Sequence, residues 1–279
     1  MLRIGTAGVP LSTETRKTED GIERVRELSL DVMELEFVRQ VYIKEESYGK
    51  EIRQEAEKED VFLTVHAPYF INLNAKEKEK RAASRARIIK AAEAAQWCGA
   101  NNIVVHSAFY LGMDKGTVYT NVKKEYLKVR EEMESKGLAN IMLRPELMGK
   151  HSQFGNIEEL LSLCSEVDGI LPCIDFAHLE ARYGEGINNY DGFYSVLEKM
   201  EKELGKRAVR SVHFHFSAVV YSDKGERYHV PFDSEEARLK WKDMVKAWKD
   251  FGVEGTAISE SPNIEGDALK AKKFYEELG

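Results

Sequence analysis

Residues 212–229 read VHFHFSAVVYSDKGERYH and hold three of the chain's seven histidines. Val212, Phe214 and Phe216 alternate with His213 and His215, the period-two pattern of a strand buried on one or both faces. A loop then leads to Glu226, Arg227, Tyr228 and His229. Two readings fit this stretch taken alone. One is a strand with two hydrogen-bonded core histidines and a solvated charged loop. The other is a metal site at a strand end, and the choice depends on whether the remaining histidines and acids occupy equivalent places.

Working outward, short apolar or β-branched runs alternate with longer segments of helical period. The expected strands are 2–7, 32–37, 61–66, 102–106, 141–145, 170–175, 211–216 and 256–259. Helical patterns cover 76–97, 122–136, 190–204, 234–250 and 267–278; in the first of these Ala82, Ile88, Ile89, Ala92 and Ala95 form an apolar stripe. Strands separated by crossover helices pair in parallel, and eight such units close into a single (β/α)8 TIM barrel spanning 1–279. An open doubly wound sheet is the alternative. It is disfavoured because Gly5-Thr6-Ala7-Gly8, after the first strand, does not fit the glycine-rich dinucleotide turn.

Composition agrees with one large domain. The 279 residues are 43% hydrophobic, enough for a sizeable core, and no Pro-, Gly- or Ser-rich linker divides them. There is no charged-then-apolar leader pattern at the start and no apolar run of ~18 residues, so a soluble, cytoplasmic protein without a membrane partner is expected. Cys98, Cys164 and Cys173 are far apart and odd in number, which argues against a disulfide framework or a cysteine zinc site. The net charge of −7 provides no global attraction for nucleic acid and leaves any such binding to a local patch.

In a barrel of this kind the strand C-termini form the active face. His66 ends the third strand, His106 the fourth, and Glu146 follows the fifth. Asp175 ends the sixth with His178 just beyond, His213 and His215 lie late in the seventh, and Glu260 ends the eighth. Each has a structural reading of its own: His66 as a core histidine, Glu146 as a capping acid, Asp175 as an N-cap. Together they do not, because only His151 of the seven histidines falls clearly away from this rim. Imidazole with carboxylate and no thiolate suits zinc, with manganese as the other choice. The candidates His66, His106, Glu146, Asp175, His178, His213 or His215, Glu226, His229 and Glu260 exceed what one ion needs, so two or three ions are expected. Such clusters clamp a phosphate and acidify a bridging water.

These motifs resemble the endonuclease IV family of apurinic/apyrimidinic DNA repair nucleases, over nearly the whole chain. The most specific piece is HAPYFINL, residues 66–73. The resemblance implies His66 and His106 on one zinc, Glu146 bridging, Asp175, His213 and Glu260 on a second, and His178 with His229 on a third. It implies Glu146 and Glu260 as catalytic carboxylates. It further implies Tyr69, Phe70 and Asn72 in the loop that enters DNA at an abasic site, and a monomer acting on DNA. Lys76, Lys78, Lys80, Arg81, Arg85 and Arg87 follow that loop, either as phosphate contacts or as a solvated face balanced by Glu77 and Glu79.

The chain departs from the family pattern in four places. Glu146 is followed by Leu147 and Met148 rather than Asn-Thr. The sixth-strand motif is Asp175-Phe176-Ala177-His178, and the seventh-strand loop has Glu226-Arg227-Tyr228-His229 where the family has Asp-x-His. His215 stands where an Asn is expected. The implied activity is hydrolysis of the backbone 5′ to an abasic site. The competing reading is a sugar isomerase or epimerase on the same barrel, for which Glu146, Asp175, His213 and Glu260 would surround one divalent ion. A third is a barrel that binds nucleic acid or a partner without turnover.

Overall fold

The computed structural model describes residues 1–279. Strands β1 (Leu2–Ala7), β2 (Val32–Glu36), β3 (Phe62–His66) and β4 (Asn102–Val105) alternate with helices α1 (Thr18–Glu27), α2 (Glu46–Glu59) and α3 (Lys78–Cys98). Then come β5 (Ala108–Phe109), α4 (Lys115–Ser135), β6 (Met142–Pro145), β7 (Gln153–Phe154), α5 (Ile157–Glu166), β8 (Cys173–Asp175) and α6 (Phe176–Tyr183). The chain ends with α7 (Tyr190–Leu204), α8 (Lys206–Val209), β9 (Val212–Phe216), β10 (Ala218–Ser222), β11 (Gly225–Val230), α9 (Trp241–Phe251), β12 (Gly255–Ser259) and α10 (Glu265–Glu277).

Eight of these strands form one parallel sheet in the order β6-β4-β3-β2-β1-β12-β9-β8. Its two edges meet through bridges between Leu143 and Ile170 and between Glu146 and Cys173, and the Leu147 N–H donates to the Cys173 carbonyl at 3.0 Å. The sheet is therefore a closed (β/α)8 barrel, as the alternation of runs predicts. The sixth strand is shorter than expected, beginning at Cys173 instead of residue 170, because Pro172 has no N–H to give the ladder. Helix α4 begins earlier than the apolar stripe suggests: Asp114 caps it, its carboxylate accepting from Thr117 N at 3.0 Å. Helix α9 begins later, at Trp241 rather than 234; residues 234–236 form a turn and 237–240 run on without regular structure.

The bore of the barrel is polar at mid-height. Arg144 is fully buried; its Nε donates to Asn102 Oδ1 at 2.6 Å and one terminal nitrogen to Ser211 Oγ at 3.1 Å. Glu34 on β2 accepts from Thr64 Oγ1 on β3 at 2.8 Å. Across the bore, His213 Nδ1 lies 2.8 Å from Thr256 Oγ1 of the neighbouring strand β12. Packing outside the strands is apolar: Trp248 of α9, buried, meets Phe176, Phe214 and Phe216 at ring separations of 5.3–5.6 Å.

One expectation is corrected here. Residues 218–230 are a β-hairpin, β10 paired antiparallel with β11, rather than a loop. Val219 pairs with His229 and Val220 with Tyr228, but Tyr221 pairs with Glu226, so Arg227 is an extra residue, a β-bulge. In a regular strand residues three apart face opposite sides. The bulge absorbs one residue, and Glu226 and His229 come to share a face.

Candidate metal centre

At the C-terminal rim the side chains collect into three groups whose ligand-type atoms lie within 4.8 Å of one another. The first is His66, His106 and Glu146. Glu146 Oε2 is 3.3 Å from His66 Nε2 and 2.8 Å from His106 Nε2. The second is Glu146, Asp175, His215 and Glu260, with His215 Nδ1 at 3.2 Å from Glu260 Oε1 and 3.8 Å from Glu146 Oε1. The third is His178, Glu226 and His229, where Glu226 Oε2 is 3.3 Å from His178 Nε2 and Glu226 Oε1 is 3.8 Å from His229 Nε2. Glu146 belongs to two groups and also lies 3.1 Å from His178 Nδ1, so its carboxylate is the centre of the set.

All nine positions expected at the rim gather there except His213. Both histidines of β9 face the bore; His215, nearer the strand's C-terminal end, reaches the second group, and His213 lies one level below, where its Nε2 is 3.0 Å from Glu34 Oε2. The ligand-type histidine of this strand is thus the one aligned with an Asn in the expected family pattern. Cys173, His213 and His215 also bring ligand-type atoms close together. All three are shut off from solvent, and Glu34 already faces both imidazoles.

His66, His178 and His229 each have one ring nitrogen facing a carboxylate of the groups and the other against a neutral neighbour, a contact that in His178 is shared with Glu146 and Asp175. His66 Nδ1 is 2.7 Å from the Ala67 carbonyl, His178 Nδ1 is 2.9 Å from the Leu147 carbonyl, and His229 Nδ1 is 2.6 Å from Ser217 Oγ. Asp175 serves twice: Oδ1 caps α6 by accepting from His178 N at 2.8 Å, and Oδ2 turns into the site. The N-cap reading and the ligand reading of Asp175 are therefore both compatible with its position.

Charges within the cluster depend on one another. Burial pushes the Asp175 carboxyl up, to about 6, against the charge of His178. For Glu260 burial acts in the same sense, yet His215 prevails and holds it down at about 2. Burial also disfavours the charged form of His66, but Glu146 and Glu36 bring it up to about 10. The donor set fits a divalent cation: Glu146 Oε1, Asp175 Oδ2 and His215 Nδ1 are buried, converge on one group, and have no hydrogen-bond partner in the protein.

Above the first group, Tyr69 stacks on His106 with ring centroids 5.2 Å apart and planes 13° apart. Tyr69 is 43% and Phe70 64% exposed, with Val38, Phe109 and Leu111 also exposed. Asn72 is used within the loop: its side-chain oxygen accepts from Asn74 N at 3.0 Å and from Phe109 N at 3.4 Å. Of the basic residues that follow, Arg85 pairs with Glu125, Arg81 lies 3.9 Å from the same carboxylate, and Lys80 pairs with Glu77 at 2.8 Å. These three belong to a balanced helix face. Glu34 and Glu36 lie in the run MELE, two acids on one face of an apolar strand; the alternation shows the acids and not the partners they meet.

The fold is a TIM barrel whose rim carries residues that could hold divalent metal, and comparison with other proteins gives its family. The chain belongs to the xylose isomerase-like TIM barrel family, whose profile matches residues 22–278. It is 45% identical to an uncharacterized protein of Methanocaldococcus jannaschii, over 100% of this chain and 98% of that one. It is 28% identical to a probable endonuclease 4 of Aquifex aeolicus, over 60% of this chain and 59% of the relative. Among solved structures, a D-tagatose 3-epimerase-like protein superposes with a TM-score of 0.72 at 21% identity, covering 98% of this chain and 96% of that one. Endonuclease IV from Thermus thermophilus superposes with a TM-score of 0.70 at 17% identity, covering 98% and 100%. No helix is long and apolar enough to cross a membrane.

Proposed function

We propose that the chain is a metal-dependent phosphodiesterase of the endonuclease IV type, cutting DNA on the 5′ side of abasic sites. The observation that carries this reading is the third group, His178, Glu226 and His229, beside a Glu146 shared by the other two. A one-ion enzyme has no use for it. His66, His106 and Glu146 would hold one ion, Glu146, Asp175, His215 and Glu260 a second, and His178, Glu226 and His229 a third, with zinc the best match to the N/O donor set. Bound ions would supply an acidified water and offset charge on the phosphoryl oxygens. Glu146 ties the first two groups together, and Glu260, less buried than Glu146, faces the rim where substrate would lie. Tyr69 and Phe70 offer apolar surface for an opened base stack, as wedges in other DNA-kinking proteins do.

A specific observation favours a second reading. The second group alone is a Glu-Asp-His-Glu set, and the epimerase-like structure superposes as well as the nuclease does. On that reading the chain moves a proton on a sugar bound at one divalent ion. Metal analysis of the purified chain, paired with cleavage of a duplex carrying one abasic analogue with and without chelator, separates the two. More than one ion per chain with chelator-sensitive nicking is expected; a single ion and no nicking would transfer the assignment to the epimerase class.

A further inference from the structure

His215 differs from the other histidines of the cluster in what holds its second nitrogen. His66 leans on a backbone carbonyl and His229 on a hydroxyl, while His178 Nδ1 is shared between the Leu147 carbonyl and the Glu146 and Asp175 carboxylates of the ligand groups themselves. His215 Nε2 instead approaches a carboxylate outside the three groups, Glu34 Oε1, at 2.8 Å. Glu34 sits on β2, three strands away from β9 around the barrel, and is shut off from solvent, as are His213 and His215. Its Oε2 accepts from Thr64 and lies 3.0 Å from His213 Nε2. Neither imidazole contact is a straight hydrogen bond, yet His215 Nε2, His213 Nε2 and Glu34 Oε1 have no other partner. An unpaired buried polar atom costs about 1–3 kcal/mol, so these atoms depend on one another, with the Cys173 thiol the other polar group beside His215.

We propose that Glu34 is the positioning residue of the metal centre: its carboxylate fixes His215 with the proton on Nε2, leaving the Nδ1 lone pair for the ion shared with Glu146, Asp175 and Glu260. His213 is then a support for Glu34 and not a ligand. Its Nδ1 is engaged by Thr256, and both of its nitrogens are turned away from the rim. Carboxylates behind metal-bound imidazoles orient the ring and raise its basicity, and their removal typically weakens metal binding about 10–100-fold.

This inference rests on the metal reading of the site, and its test is divided so that the two fail separately. In the zinc-loaded chain labelled with ¹⁵N-histidine, His215, assigned by its loss in His215→Gln, is expected to carry its one proton on Nε2. Glu34→Gln, which keeps the side chain's volume, is expected to give a mixture of tautomers and a 10–100-fold weaker zinc affinity in chelator competition. His213→Gln is expected to leave the number of bound ions unchanged. An unaltered His215 tautomer with unaltered zinc affinity in Glu34→Gln overturns the proposal, as does loss of an ion in His213→Gln. Should Glu34→Gln fail to fold, Glu34→Asp, which keeps the charge but withdraws it by one methylene, is read for the same two quantities. A wild-type chain that binds no zinc defeats the metal reading and this proposal with it, whereas a wild type that binds zinc beside an unaltered Glu34→Gln defeats the proposal alone.

Discussion

Gly149, in the loop that leaves β6, is where the third ligand group is most exposed to a small change. A Cβ added there would lie 2.8 Å from Glu226 Cβ and 3.0 Å from His178 Cδ2, two of the three residues of that group. The backbone of Gly149 is not left-handed, so Gly149→Ala acts through volume alone. Ordinary contact begins near 3.4 Å, which requires Glu226 and His178 to separate from the loop by about 0.6 Å. The hairpin has little room for this, since Gly225 already faces the Gly149 carbonyl, where a Cβ would come within 2.3 Å. Overpacking of this kind costs about 1–3 kcal/mol. If that strain is released by displacing the ligands, the third ion binds about 5- to 150-fold more weakly. The expected result after dialysis is one ion fewer per chain by elemental analysis, with the other ions retained and nicking of an abasic duplex reduced. Full metal content and full nicking in Gly149→Ala would show that the third group is not a site, or that the loop yields without strain.

Three further outcomes follow from the structure. Deleting Arg227 removes the bulge and leaves the acid and His229 two apart on a regular strand, so metal content is expected to survive; inserting a second residue there should abolish the third site. Burial pushes the Glu180 carboxyl up to about 7 despite the charge of Arg238. Its ionised form is therefore disfavoured by folding: the penalty is absent below about pH 4.3, grows as pH rises toward 7, and is complete above that. Glu180→Gln should thus be more stable than the parent at pH 8, by on the order of 3 kcal/mol at most, and little different at pH 4, which denaturation midpoints would read. Trp248→Ala should cost about 3–5 kcal/mol of folding stability, because its ring fills the space between Phe176, Phe214 and Phe216; a loss below 1 kcal/mol would mean that the layer closes over the cavity.

The barrel was legible because each strand is a short apolar run and each helix a longer stripe, and the clustering of histidines at strand ends located the rim. Register was harder. His213 and His215, two residues apart, share a face, so which of them reaches the rim depends on the strand's height in the barrel, which alternation does not reveal. That height is set by Ser259 of β12 pairing with Phe216. The hairpin was less visible still: AVVYSDKGERYHV carries β-branched residues around a turn, but its charges read as loop, and the bulge at Arg227 is a property of pairing rather than of composition. Glu34 and Arg144 were unmarked because their partners come from strands distant in sequence.

The polar bore has a consequence for how this chain reaches its fold. Glu34 finds Thr64 nearby, but its imidazole partners lie on β9, near the other end of the chain. Until β9 docks, the half-built sheet holds an acid whose pairing is incomplete, and a one-residue slip of β9 would turn both histidines out of the bore. Contacts of such long sequence separation are slow to form. The buried charges thus act as a check on assembly, penalising partial barrels and wrong registers, which an apolar bore would tolerate.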